Sequence, residues 1–177
     1  MGQDAKKTLN IGSGFNKMVG AINMDISPSC RPEVVWDMTI TPWPFGDGEF
    51  ERVNAYHVLE HVPDFWPCVQ ECARVLAVGG TLEVHVPHAS SDSALTYRDH
   101  HRMFGANSFH GIYGPGFGTS AWGYDQRDTV PLRLVAQHLV AFKEYDWVAR
   151  WFPRVMHFCA KHMRNFVWEH QFIFERV

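Results

Sequence analysis

The sequence predicts an α/β domain built on a doubly wound, mostly parallel sheet, and three observations lead there. Short strand-like runs alternate with helical or loop crossovers along the first half of the chain, the pattern that produces a parallel sheet with covered faces. A glycine pair closes the first strand, in Gly12-Ser13-Gly14. Polar residues then end the following strands, at Asp25, Asp37 and His57, where open α/β sheets bind their ligands.

Residues 8–12, TLNIG, read as the first strand, residues 21–26, AINMDI, as the second, and residues 32–37, PEVVWD, as the third. The link TPWPFGDGEF carries the Asp47-Gly48 turn signal, and ERVNAY at 51–56 is a fourth strand. Pro63 marks a helix start, and DFWPCVQECARVLAVGG repeats Val69, Cys72, Ala73 and Leu76 at helical spacing. Gly79-Gly80 is expected to close that helix, before TLEVHVPH at 81–88 as the fifth strand. Residues 88–130 are rich in glycine and aromatics. A stretch of that length without regular structure is usually functional, so it is expected to cover a site, hinged at Gly114-Pro115-Gly116. PLRLVAQHLVAF at 131–142 reads as a strand, 145–167 as an interrupted helix, and EHQFIFERV as a last strand. On that helix Val148, Trp151, Phe152, Val155, Met156, Cys159, Met163 and Phe166 share one broad face, expected to pack on the sheet.

With 177 residues, 46% of them hydrophobic and 20% charged, the chain can bury a core of its own. A formal charge of −3 argues against holding nucleic acid by bulk electrostatics. The start, MGQDAKKTLN, is polar and unlike a signal peptide, and no run is long and apolar enough for a membrane span. A cytoplasmic location is therefore expected, with Cys30, Cys68, Cys72 and Cys159 as free thiols. Cys68 and Cys72 have no second Cys or His pair at finger spacing and read as small helix residues.

Two motifs compete for the chemistry. His57-Val58-Leu59-Glu60-His61 fits the H-x-x-E-H pattern of inverted zinc peptidases, which would make His57 and His61 ligands and Glu60 a general base. Such a site needs a continuous helix through both histidines. Here a strand runs up to His57 and Pro63 follows closely, so a structural role is preferred and no metal is expected. The first-strand turn is the sharper motif. Glycines there let backbone N–H groups approach a ligand, and Asp25 ends the next strand, where a carboxylate accepts ribose hydroxyls. Asn16-Lys17 stands where a third glycine would complete a dinucleotide fingerprint, so that fingerprint is not met.

Taken together, LNIGSG, INMDIS, WDMTITPWPFGDGEFERVNAYHVLEHVPD and CARVLAVGGTLEVHVP resemble, in order and spacing, the class I S-adenosylmethionine-dependent methyltransferases. The small type 11 methyltransferase-domain group is the most similar. The resemblance covers residues 8–110 well and implies a Rossmann-like, seven-stranded fold with a shortened first crossover helix, FNKMVGA. Length makes one domain over residues 1–177 the simplest reading, with a cofactor-binding half at 8–88, an active-site cover and acceptor loop at 88–130 and a strand–helix–strand at 131–177.

The same resemblance implies S-adenosyl-L-methionine as cofactor, with Asn10, Gly12, Ser13 and Gly14 around its methionine portion. Asp25, followed by Ile26, would take the ribose, Asp37 and Met38 would face the adenine, and Tyr56 and His57 would lie under the sulfonium and adenosyl groups. Glu60 and His61 match an EH pair that holds the loop in this group. YRDHHRMFGANSF resembles the D-x-x-H-x-R-F-F stretch of the family. His100 or His101 would then act as base or acceptor-binding group, and Arg102 would pair with an acidic group. NAYHVLEH lacks the Asn/Asp-Pro-Pro-aromatic motif of nucleic-acid amino-methyltransferases, which disfavours nucleic acid. The acceptor is expected to be a small-molecule or glycan-type group, sugar- or lipid-linked, with an O- or N-nucleophile; a homodimer is compatible with the sequence. Asn10, where the family commonly has Asp or Glu, and the short first crossover motivate an alternative. That alternative is a degenerate cofactor-binding domain serving as a partner or regulatory subunit.

Overall fold

The computed structural model describes residues 7–109 and 130–177. Most of the expected cover, including the Gly-Pro-Gly at 114–116, lies outside the described residues. In chain order the elements are β1 (Thr8–Ile11), β2 (Ile22–Asp25), β3 (Val34–Val35), β4 (Phe50–Tyr56), α1 (Trp66–Val75) and β5 (Leu76–Pro87). They continue with α2 (Ser93–Thr96), β6 (Leu132–Ala141), α3 (Asp146–Trp151), α4 (Pro153–His162) and β7 (Val167–Arg176). One sheet holds the seven strands in the order β3-β2-β1-β4-β5-β7-β6. β1 to β5 pair in parallel, and β7 runs antiparallel to both of its neighbours. The chain steps outward one way from β1 through β2 to β3, then returns to build β4 and β5 on the other side. The doubly wound sheet expected from the sequence is therefore present, with its switch point between β1 and β4.

Alternation along the strands separates two very different faces. Leu9, Ile11, Val53, Ala55, Leu82, Val84, Phe172 and Phe174 are completely buried on one of them. Cys68, Val69, Cys72 and Ala73 of α1 join the same core, along with Phe104 and Phe109. Phe109 sits at its centre, with ring centroids 4.8 Å from Phe172 and 5.3 Å from Phe174. The two cysteines are the small core residues the sequence suggested, and burial pushes the Cys68 thiol up to about 12; all four cysteines are free.

The opposite face is polar. Asn23, Asn10, Asn54 and Glu83 lie side by side on β2, β1, β4 and β5 in one registered row. Parallel sheets are normally covered on both faces and read as continuous apolar runs. Here the first crossover contains no helix, and the row is capped by a loop instead. The Asn10 Nδ2 donates to Asn23 Oδ1 at 2.9 Å, and the Met18 N–H donates to the same oxygen at 2.8 Å. The Asn23 Nδ2 reaches Glu33 Oε2 at 2.7 Å, Met18 O at 3.1 Å and Ala21 O at 3.3 Å. Met18 lays its sulfur 3.3 Å from Asn54 Nδ2. Buried polar groups demand partners, and this network supplies them where a crossover helix would have supplied carbon. Glu33 is held down to about 2 by its bond from Lys17 first and by those from Asn23 next.

Two boundaries differ from the sequence reading. α1 stops at Val75, and Leu76 turns to extended backbone to pair with Phe50, so Gly79 and Gly80 belong to the irregular start of β5 rather than to a helix end. Completely buried in the core, Leu76 gains more from the sheet than from another helical turn. The third strand shrinks to Val34–Val35 because Glu33 turns away to bond Asn23. Pro153 divides the C-terminal helix into α3 and α4. Its broad apolar face divides as well: Val148, Met156, Cys159 and Phe166 are buried against Ala141 and Val167, whereas Trp151, Phe152, Val155 and Met163 stay exposed. Among the described residues no helix is long and apolar enough to cross a membrane.

Candidate active site

The carboxyl ends of β1, β2 and β4 gather most of the residues that the sequence singled out. Gly12 leaves β1 with φ +59, and a Cβ there would lie 2.1 Å from Val58 Cγ2, so only glycine fits. Gly14 takes φ +49 with nothing within 4 Å of a would-be Cβ, which leaves open space over its backbone. Ser13 is buried and its N–H donates to Met24 O at 3.2 Å, tying the turn to β2. The Gly14 N–H donates to Asp25 Oδ2 and the Ser27 N–H to Asp25 Oδ1, each at 2.8 Å. A carboxylate oxygen accepts more than one bond, so Asp25 is fixed in place while keeping acceptor capacity for hydroxyls. Ile26 follows it, 64% exposed.

Farther along the sheet, Asp37 Oδ1 accepts the Thr39 N–H at 2.9 Å and the Thr39 hydroxyl at 2.7 Å, closing a local turn. The Met38 side chain also approaches Gly12, its Cε 3.3 Å from a would-be Cβ there, and its carbonyl accepts the Trp43 indole N–H at 2.9 Å. Two expectations are placed elsewhere. Asn10 is 4% exposed and donates to Asn23 in the polar row, so its side chain belongs to that network. Tyr56 leans on the His85 ring at 4.2 Å on the same polar face, and burial, with Glu83 adding to it, lifts its hydroxyl to about 12.

His57 directly follows β4 with φ +51, a strained conformation outside glycine. That twist turns the imidazole toward β7. Nε2 lies 2.7 Å from Glu169 Oε2, Nδ1 lies 3.5 Å from Glu60 Oε1, and Trp168 stacks on the ring at 5.6 Å. The Glu169 bond first, and the Glu60 bond second, raise His57 to about 9, so it is an imidazolium at neutral pH. Burial works to raise the Glu169 carboxyl, but the bonds from His57 and Gln171 outweigh it and hold the group below the usual range. The inverted-peptidase arrangement is therefore absent: the motif is one short 3-10 turn over Leu59–His61, and His57 is engaged by Glu169.

A cavity of about 590 Å³ opens at the ends of β4 and β5, lined by His57, Glu60, His61, Tyr97, His100 and Trp168 among others. His100 faces it, in edge-to-face contact with His61 at 4.8 Å and beside Tyr97 at 5.1 Å. His101 does not; it is exposed and its N–H donates to Glu60 O at 2.8 Å. Among the described residues Arg102 meets no acidic partner: its Nε donates to Pro63 O at 3.0 Å and its guanidinium lies over Phe65. Both residues fasten the 97–104 segment to the loop after β4. Phe104 and Phe109, read as part of the cover, are core residues. A second cavity, of about 630 Å³, lies between Thr8, Met18, Arg52 and Thr81, and none of the expected site residues lines it.

Sequence reasoning missed Glu169 and Trp168. Their position beside His57 depends on β7 inserting between β5 and β6, a pairing that no local pattern announces. The one hint was a lone acid in the middle of an apolar strand, VWEHQFIF.

Residues 12–84 match a family model described as a methyltransferase domain. The methyltransferase fold extends over the rest of the described chain. A SAM-dependent methyltransferase from Archaeoglobus fulgidus is similar at 14% identity, with 98% of this chain and 87% of that one covered and a TM-score of 0.69. The YcgJ protein from Bacillus subtilis is similar at 14% identity, covering 97% and 92% with a TM-score of 0.59. Phosphoethanolamine N-methyltransferase 2 of Haemonchus contortus, solved with S-adenosyl-L-methionine, is similar at 11% identity, covering 97% of this chain but 49% of that one, with a TM-score of 0.59. At such identities the structural likeness establishes the class I methyltransferase fold, and the family match brings the activity and its cofactor, S-adenosyl-L-methionine. No curated protein matches the methyltransferase by sequence.

Proposed function

We propose that this methyltransferase transfers a methyl group from S-adenosyl-L-methionine to an oxygen or nitrogen of a small-molecule or glycan-type acceptor held in the cavity beside His100. The observation that carries this reading is the cavity itself, at the carboxyl ends of β4 and β5, next to the strands whose turns hold Gly14 and Asp25. The residues present fit the cofactor. Gly14 leaves open space at its backbone, and Asp25 is preset by two N–H groups with acceptor capacity left for ribose hydroxyls. The bound cofactor supplies a methyl group already activated on a sulfonium.

The chain's own contribution is alignment, which can lower a barrier substantially without covalent chemistry. Gly12, packed against Val58 and Met38, sets the turn that carries Gly14. Asp37 and Met38 flank the adenine end, and Ile26 presents an exposed apolar surface beyond the ribose acid. Both His57 nitrogens face carboxylates, those of Glu169 and Glu60, which favours the charged imidazole over the role of a base; it ties the end of β4 to β7 and shapes the cavity wall. His100 is the group placed to orient the acceptor and accept its proton when the nucleophile carries one. His101 and Arg102 position that segment.

Screening of hydroxyl- and amine-bearing small molecules and sugars with radiolabelled cofactor tests the reading. Label transfer that falls with His100→Ala, while cofactor affinity holds, is expected. Transfer at the wild-type rate in that variant would remove His100 from the reaction.

A further inference from the structure

We propose that Glu60, His61 and His100 form a site for a divalent transition-metal cation on the wall of this cavity. One donor atom from each of the three lies within 4.8 Å of the other two. Two of them are conspicuously unsatisfied. Glu60 is 1% exposed and its Oε2 has no hydrogen-bond partner among the described residues, and His100 Nδ1 is likewise buried without one among them. An uncompensated carboxylate oxygen in a buried position is costly, and a carboxylate oxygen together with an imidazole nitrogen presenting its lone pair is a set that one cation binds. A proton shared directly between them would serve only if they were within hydrogen-bond reach, and no such bond forms.

The surroundings are arranged as an outer shell. Asp99 Oδ2 lies 3.0 Å from His61 Nδ1, which leaves Nε2 as the free donor, the carboxylate–histidine pairing common behind metal ligands. Glu60 Oε1 is steadied by His57 at 3.5 Å, and the Glu60 carbonyl accepts the His101 N–H at 2.8 Å, locking together the two segments that bring the donors. Two imidazoles and one carboxylate suit zinc, manganese or iron(II) better than calcium or magnesium. In a loaded tetrahedral site, bonds of ~2.1 Å put donors roughly 3.4 Å apart. The donors therefore close by at most roughly 1.4 Å on binding, a shift that the partly exposed His61 side chain can make. Three protein ligands leave open positions facing the cavity. Resting on the methyl-transfer reading, Glu60, His61 and His100 would hold a metal that lowers the pKa of an acceptor oxygen beside it; in the metal-loaded chain His100 is then a ligand in place of the base, and the acceptor proton leaves to water before the oxygen displaces the sulfur at the methyl carbon.

The test uses the full chain, stripped with a chelator and titrated calorimetrically with Zn²⁺, with Co²⁺ as a visible-absorption probe and S-adenosylmethionine titrated in parallel. One Zn²⁺ per chain is expected, with affinity falling at least a hundredfold in His100→Ala. Asp99, which is well exposed and safe for folding, should give a fall of about tenfold when changed to Ala. Absence of binding to the wild-type chain, or binding unaltered in both variants, overturns the site. Cofactor binding without metal binding overturns this inference and spares the methyl-transfer reading; metal binding without cofactor binding does the reverse.

Discussion

The two faces of this sheet solve the same burial problem with opposite chemistry. The face under α1 is closed by carbon, with Phe172, Phe174 and Phe109 meeting Leu9, Ile11 and Leu82. On the other face, Asn23, Asn10 and Asn54 are equally buried, yet a loop and its hydrogen bonds cover them where a parallel sheet would ordinarily have a helix. The difference teaches that the shortened first crossover is matched in the strands. With no helix to pack on, these positions carry amides that bond Met18, Ala21 and Glu33. The apolar face is non-directional and tolerates reshaping, whereas the polar row depends on every partner.

Four perturbations sharpen the contrast. Phe172→Ala should cost most, roughly 3–5 kcal/mol of unfolding free energy in urea denaturation, because a large ring leaves a completely buried site. A cost under about 1 kcal/mol would show that this face is not the core. Gly12→Ala should follow at about 3 kcal/mol, combining a clash with Val58 and a positive φ, and it should weaken cofactor binding as the turn shifts. Asn23→Ala should cost about 2 kcal/mol by orphaning the Met18 N–H and Asn10. Neutral behaviour would mean that water replaces the amide freely and that the polar row is merely wet.

The smallest effect is a pH dependence on the apolar side. His170 is 1% exposed, stacked on Phe172, and held down to about 3 by burial first and by His88 and His157 next. It stays neutral in the folded chain while the unfolded chain protonates near 6.5. Its contribution is therefore intact above about pH 6.5 and is lost as pH falls toward 3. Replacing His170 with Gln, which keeps a partner for Gln137, should flatten that part of a melting-temperature profile; an unchanged slope would assign the dependence to other groups.

Most of the sheet was legible because its signals are local. Strand ends, the Gly12–Gly14 turn and Asp25 could be read from short runs, and the structure brings Gly14 and Asp25 into a direct bond. Legibility failed where partners come from far away in the chain. Leu76 looked helical until Phe50 paired with it, and the bond from the Asn10 amide to Asn23 was not announced by any local pattern. The His57–Glu169 pair depends on the β7 insertion, so no short run of sequence could announce it. Arg102 was expected to meet an acid, but Pro63 O and the Phe65 ring were nearer.

The central claim is that the turn after β1 and the acid ending β2 hold S-adenosylmethionine. Calorimetric titration of the wild-type chain and of Asp25→Ala with this cofactor tests it most directly. One cofactor per chain is predicted, with affinity about tenfold to a hundredfold weaker in the variant, the loss of ~1.5–3 kcal/mol that a charge-assisted hydrogen bond supplies. Equal affinity in both proteins, or no binding in either, would contradict the account.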